Sequence, residues 1–207
     1  MQKRMATDLA QVLLAGLYED KPAVRREVVS SGKRWLIQAT EVTQLIVTRA
    51  GSLWYGRITA PNTPKQRGEI IRGTSFTQSL KPILALPFVE ALASKRMDRV
   101  VDLIDAFWGA LARLWPPAFE EAKYYVIQKT PGIFSLHMIA PRVLDACRAQ
   151  LDRPLETMQE LLVPLGQAFG PDFWHKDNPD GASQYGSQKG FRLLADQLME
   201  QLGMPAL

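Results

Sequence analysis

The chain carries a single cysteine, Cys147, and only two histidines, His137 and His175. One cysteine excludes an internal disulfide and a four-cysteine zinc site, and it suits a reducing, cytoplasmic setting. No apolar run reaches the ~18 residues that a membrane span needs, so no membrane partner is expected. The patterns that mark ready-made active sites are missing too: there is no G-x-S-x-G, no H-E-x-x-H and no Walker A loop. No catalytic residue can be assigned, and no cofactor is expected. The opening stretch, MQKRMATDLAQVLLAGLYED, has the charge and apolar run of a signal peptide. Asp8, Gln11 and the helical spacing of Leu9, Val12, Leu13 and Leu17 instead predict an amphipathic helix over 5–18, without a small-residue cleavage site.

What is present is an ordinary globular composition: 207 residues, 46% hydrophobic and 22% charged. The length suits a single helical domain over 1–207, or two small ones sharing a core; the single domain is the expectation. The net charge of +4 hides an asymmetry: residues 1–99 hold 16 Lys+Arg against 8 Asp+Glu, and residues 100–207 hold 9 against 13. A basic half and an acidic half suggest one surface toward an anion such as nucleic acid, and another toward water or a basic partner; a fluctuation in surface charge accounts for the split equally well.

Periodicity and breakers predict an all-α fold of about nine helices, with one long ordered loop and little or no strand. After the first helix comes a short one from Lys21, with Pro22 in its first turn and Ser30-Ser31-Gly32 ending it. A third runs over 35–49. The stretch AGSLWYGRITAPNTPKQRGEIIRGTS then loses all periodicity, and reads as an ordered loop over 50–74 with short extended pieces at 55–59 and 69–72. Thr74 or Ser75 is expected to cap a helix toward Leu86 that Pro82 kinks or splits, and Pro87 starts another to Ala93. The clearest helix spans 96–115. Helices are further expected over 118–129, from a Thr130 cap to about 149 with a bend at Pro141, over 154–169, and from a Ser187 cap to 202.

The candidate chemistry is sparse. His137 sits mid-helix between apolar neighbours and reads as a core residue. His175, Asp177 and Asp180 could hold a metal and support a hydrolase, but D-N-P-D-G is equally what turn chemistry demands. Cys147 falls on an amphipathic helix and reads as core. In the long loop Trp54 and Tyr55 stand beside Arg57, Lys65, Arg67 and Arg72, a combination of stacking faces and phosphate-pairing cations. The aromatics could equally anchor the loop. Arg25, Arg26, Lys33 and Arg34 add cations around the second helix. In YGSQKGF the glycine spacing is wrong for a P-loop. Ser187 and Lys189 could hold an anion at a helix N-terminus, although capping by Ser187 and close packing at Gly190 account for the pattern.

Three stretches resemble the C-terminal helical part of DGQHR-domain proteins: MQKRMATDLA; GSLWYGRITAPN with RGEIIRGTSFTQSLKPIL; and FWGALARLWPPAF with YYVIQKTPGIFSLHMI. Their order and spacing cover most of 2–139. That family includes the regulator-like component of bacterial DNA phosphorothioation systems and a component of 7-deazaguanine DNA modification systems. Its Asp-Gly-Gln-His-Arg motif lies on a ParB-like half, and the motif is absent here, so no family residue carries over. The start at Met1-Gln2, just past where that half would end, points to a fragment or a split gene. The resemblance implies a helical accessory domain in a bacterial DNA-modification or defence system. Its partner would be the DNA backbone or another subunit, such as the ParB-like half. Arg25, Arg26, Lys33, Arg34, Arg57, Lys65, Arg67 and Arg72 are the expected backbone contacts. The alternatives are a protein-interaction and stability module that touches no nucleic acid, and a metal-dependent hydrolase.

Overall fold

A computed structural model describes residues 13–14, 16–17, 20–59, 66 and 68–205, without the side chains of Arg25 and Val29. Most of the first expected helix, and Lys65 and Arg67 of the long loop, lie outside them. The described chain is essentially all-α, with one minimal two-stranded sheet. It divides into two compact units, Met1–Val101 and Asp102–Leu207.

In the first unit α1 spans Pro22–Ser30, with Pro22 at the position where a missing N–H costs nothing. Gly32 ends it at φ +65°, while the Lys33 amide reaches back to the Val28 carbonyl at 3.1 Å. That left-handed cap is one glycine adopts without strain. The helix α2, Arg34–Thr48, buries Ile37, Ala39, Val42 and Ile46, together with Gln38, Thr40 and Thr43. Buried Thr43 both bonds the Ala39 carbonyl at 2.7 Å and meets the Thr77 hydroxyl at 2.9 Å, tying α2 to the next helix but polar on the inside.

The long loop keeps the two extended pieces expected of it. They shorten to β1, Ile58–Thr59, and β2, Ile71–Arg72, which pair in parallel with Ile58 opposite Ile71. Helix α3, Gly73–Ser79, follows directly, and neither Thr74 nor Ser75 caps it; Arg72 holds the cap position without a side-chain bond. The early start follows from the strand pair, since Gly73 lies so close to β1 that an added Cβ would sit 3.2 Å from the Thr59 carbonyl oxygen. Pro82 does split the segment: α4 is Lys81–Leu84, and α5 is Pro87–Ala93.

Helix α6, Met97–Leu114, crosses the boundary between the units and buries Val100, Val101, Leu103, Ile104, Phe107, Trp108, Ala110 and Leu111. Pro116 and Pro117 end it, but they also open α7, Pro116–Glu120. The helix expected over 118–129 stops there. Tyr125 instead forms an antiparallel bridge with His175, with Val126 N–H to the Trp174 carbonyl and Lys176 N–H to the Tyr124 carbonyl, each at 2.8 Å. Long-range pairing of aromatic and β-branched residues has displaced a weak local helix preference.

Helix α8 is Thr130–Ala146, with Thr130 as its first residue and no side-chain cap. It continues past Pro141 and ends before the expected 149, where Arg148–Gln150 forms a 3-10 turn. Helix α9, Pro154–Ala168, contains Pro164. Two more 3-10 turns, Pro171–Trp174 and Ala182–Gln184, lead to α10, Gln188–Gln201, capped by Ser187 as expected. The helix α10 packs on α8, where Phe134 and Phe191 stack at 5.0 Å.

Gly132 tests the turn before α8. A Cβ there would run into the backbone of Ile127. Gly132→Ala should lower stability by about 1–3 kcal/mol in urea unfolding, as overpacking does. Gly170→Ala, where an added Cβ meets nothing within 4 Å, should leave it nearly unchanged.

Candidate nucleic-acid interface

The charge step in the sequence and the boundary in the structure coincide. Residues 100 and 101 are both valine, so the unit ending at Val101 carries the whole excess of 16 Lys+Arg over 8 Asp+Glu, and the unit from Asp102 the 9 against 13. The net positive and the net negative charge therefore fall in different compact units.

The expected cations of the basic unit fall into two groups. Around the α1–α2 junction Arg26 and Lys33 are exposed, and the Gly32 cap fixes Lys33 at the turn. Arg34 is engaged within the unit: its guanidinium donates to the Ser94 hydroxyl at 2.8 Å and lies 3.9 Å from Glu90. Such a half-exposed pair contributes about 0–1 kcal/mol, so it positions Arg34 more than it stabilises the fold. Arg25 belongs to α1, and its side chain is outside the description.

The second group sits on the strand pair. Arg72 is exposed at the end of β2, opposite Thr59. Arg57 immediately precedes β1, and its carbonyl accepts the amides of Ile70 and Ile71. It is partly buried, and that desolvation holds its guanidinium below the ordinary arginine value without discharging it. Between them the loop separates its two aromatics. Trp54 is 0% exposed and packs edge-on against Phe76 at 4.8 Å, whereas Tyr55 is 59% exposed. The turn that does this is short: Tyr55 N–H bonds Ser52 O and Arg57 N–H bonds Trp54 O, with Gly56 at φ +66°. Anchoring thus accounts for Trp54, and Tyr55 is left as a stacking face beside Arg57.

The other candidates resolve into packing and turns. His137 is fully buried, and its Nε2 accepts from Trp108 Nε1 at 2.9 Å. In the D-N-P-D-G loop, Asp180 N–H bonds Asn178 Oδ1 at 3.0 Å and Asn178 Nδ2 donates to the Asp172 carbonyl at 2.9 Å. His175 Nδ1 accepts from the Asp177 amide at 3.3 Å and lies 4.0 Å from its carboxylate. Among the described residues no group of three His, Cys, Asp or Glu side chains is placed to hold a metal ion. At α10 the Ser187 hydroxyl accepts the Gly190 amide at 3.1 Å, and Lys189 is exposed. Gly190 is required by the backbone of Tyr185, which would meet an added Cβ at 2.9 Å, rather than by a neighbouring helix.

One cluster was invisible in the sequence. Lys123 lies 4.4 Å and Lys176 5.4 Å from the Tyr124 ring centroid, and His175 stacks on that ring at 6.3 Å. Its members are brought together by the 125–175 bridge, for which no local pattern exists. Among the described residues no helix is long and apolar enough to cross a membrane.

Cys147 gives a direct check on this assignment of buried groups. Burial pushes its thiol up to about 11, so the folded chain keeps it neutral. An unfolded chain would release that proton nearer the ordinary thiol value, so stability should fall as pH climbs from there toward 11. At about pH 8 a disulfide reagent should label Cys147 only after denaturant is added, because thiolate and access are both needed. Rapid stoichiometric labelling of the native chain would contradict its place in the core.

No protein-family model matches the sequence, and neither a curated protein nor a solved structure is significantly similar to it.

Proposed function

We propose that this chain is a helical accessory module of a DGQHR-type protein in a bacterial DNA-modification or defence system, and that its basic unit contacts the DNA backbone. The observation that carries the reading is the net positive charge of one compact unit, where Arg26, Lys33 and Arg72 are exposed. Cations of this kind neutralise phosphate and release counterions, and they read no base sequence. Tyr55 adds a face on which an unpaired base can stack. Lys65 and Arg67, in the same loop, are included as backbone contacts on their sequence position. The resemblance of three stretches to the DGQHR family supplies the biological setting.

The test is a binding titration of duplex DNA across salt concentration. The logarithm of the affinity should fall linearly with the logarithm of salt, and each of Arg26→Ala, Lys33→Ala and Arg72→Ala should reduce the slope by about 0.9. The loss should be the same on unrelated sequences. Absence of binding at low salt, or binding that these substitutions leave untouched, would remove the reading in favour of a module that contacts only protein. Tyr55→Ala should leave the unfolding midpoint unchanged and weaken single-stranded DNA by about 1–3 kcal/mol.

A further inference from the structure

The acidic unit carries a basic cluster that the DNA reading does not use. Lys123, Tyr124, His175 and Lys176 meet where two segments far apart in sequence pair. The Tyr125–His175 bridge joins the segments, and the Lys176 amide bonds the Tyr124 carbonyl at 2.8 Å. Each segment is also fixed on its own. Tyr124 N–H bonds the Glu121 carbonyl at 2.9 Å, and the Lys129 ammonium donates to the Lys123 carbonyl at 2.9 Å. In the other segment Asn178 closes the turn by donating to the Asp172 carbonyl at 2.9 Å. Trp174, next to the bridge, is fully buried against Trp115, with ring centroids 5.2 Å apart.

Both exposed lysines bring their charge to one ring. Lys123 Nζ lies 4.4 Å and Lys176 Nζ 5.4 Å from the centroid of Tyr124, which is 37% exposed. The two ammoniums are thus within about 10 Å of each other, roughly one Debye length in ordinary buffer. A ring quadrupole attracts a cation without neutralising it. The Tyr124 phenol holds the Lys123 ammonium above the ordinary lysine value by accepting from it, and Glu121 adds the smallest contribution. Among the described residues neither Lys123 nor Lys176 has a carboxylate within 4.0 Å. Asp177 lies instead against His175 Nδ1 at 4.0 Å.

His175 completes the cluster. Its ring lies 15° from parallel with Tyr124 at 6.3 Å and edge-on to Tyr125 at 5.3 Å. Its Nδ1 accepts the Asp177 amide at 3.3 Å, and an imidazole that accepts at Nδ1 presents its N–H at Nε2. Two cations and a third donor therefore stand together in a unit whose net charge is negative.

We propose that Lys123 and Lys176, beside the Tyr124 and His175 rings, bind the phosphate group of a small phosphorylated molecule or of free phosphate. Two ammoniums at one ring suit a group that gathers two charges and several acceptor oxygens on one centre. A phosphate monoester carries about −1.5 to −2 at neutral pH on three such oxygens. A DNA phosphodiester carries a single charge per group, which sets this site apart from the backbone contacts of the basic unit. The exposed part of the Tyr124 ring offers a surface to whatever is esterified to the phosphate.

The experiment is an amide-resolved NMR titration of the full chain with inorganic phosphate near neutral pH, with chloride exchanged out to hold ionic strength constant. Shifts should saturate at about millimolar phosphate and cluster at 123–125 and 175–177. Lys123→Ala and Lys176→Ala should each weaken binding at least about fivefold, as loss of a charged hydrogen bond does. Their unfolding midpoints should stay unchanged, because both side chains are exposed. Arg192→Ala removes the same charge from an exposed position on α10 and should weaken binding less than about twofold. Acetate, with one charge, should bind at least about fivefold more weakly than phosphate. A nucleoside monophosphate and a sugar phosphate distinguish the sources. Tighter binding of either, lost in Tyr124→Ala, identifies an esterified ligand, and no gain over phosphate identifies the free ion. The proposal is overturned if the shifts do not saturate, if they map elsewhere, or if Arg192→Ala weakens binding as much as the lysine variants.

Discussion

The hydrogen bond from Trp108 Nε1 to His137 Nε2 is a polar contact in the interior of the acidic unit. It joins α6 to α8 where both side chains are fully buried. An indole N–H left without an acceptor there would cost about 1–3 kcal/mol, so loss of either partner should be destabilising. It also requires Nε2 to be unprotonated, because an imidazole nitrogen accepts only when it carries no proton. One of only two histidines is thereby committed to the core. From α8 the consequence passes outward: α10 lies on it through Phe134 and Phe191, and the remaining face of α10 becomes the wall of a groove.

Burial removes the other chemically versatile groups in the same way. Cys147 is enclosed, Trp54 and Trp174 are enclosed, and His175 is drawn into a turn with Asp177 and a ring contact with Tyr124. Among the described residues, the surface of the basic unit includes Arg26, Lys33, Arg72 and Tyr55, and that of the acidic unit includes Leu193 beside Glu200. Surfaces of that kind bind polymers by complementarity of charge and shape.

Much of the fold was legible because its signals are local. Proline at the first turn set the starts of α1, α5 and α9, glycine closed α1, and the Ser187 cap of α10 was read correctly. The short extended pieces around Thr59 and Ile71 were legible as well, although not their parallel pairing. What failed depended on distant partners. The segment after Glu120 favours helix locally, yet Tyr125 pairs with His175 across the unit. Thr74, Ser75 and Thr130 have the chemistry of caps, but chain geometry placed the helix starts earlier. Of the candidate contacts, exposure separates Arg26, Lys33 and Arg72 from Arg34, which is held by Ser94 and Glu90. No composition argument could have drawn that distinction, and none could have separated Trp54 from Tyr55.

The central claim is that nucleic acid is met by the basic unit alone. Amide hydrogen exchange of the chain with and without bound DNA measures this most directly. The account predicts slowed exchange in segments 22–34 and 52–73, with the segments of the acidic unit, including 121–129 and 174–178, unchanged. Protection confined to those acidic-unit segments, or no protection at saturating DNA, would contradict it.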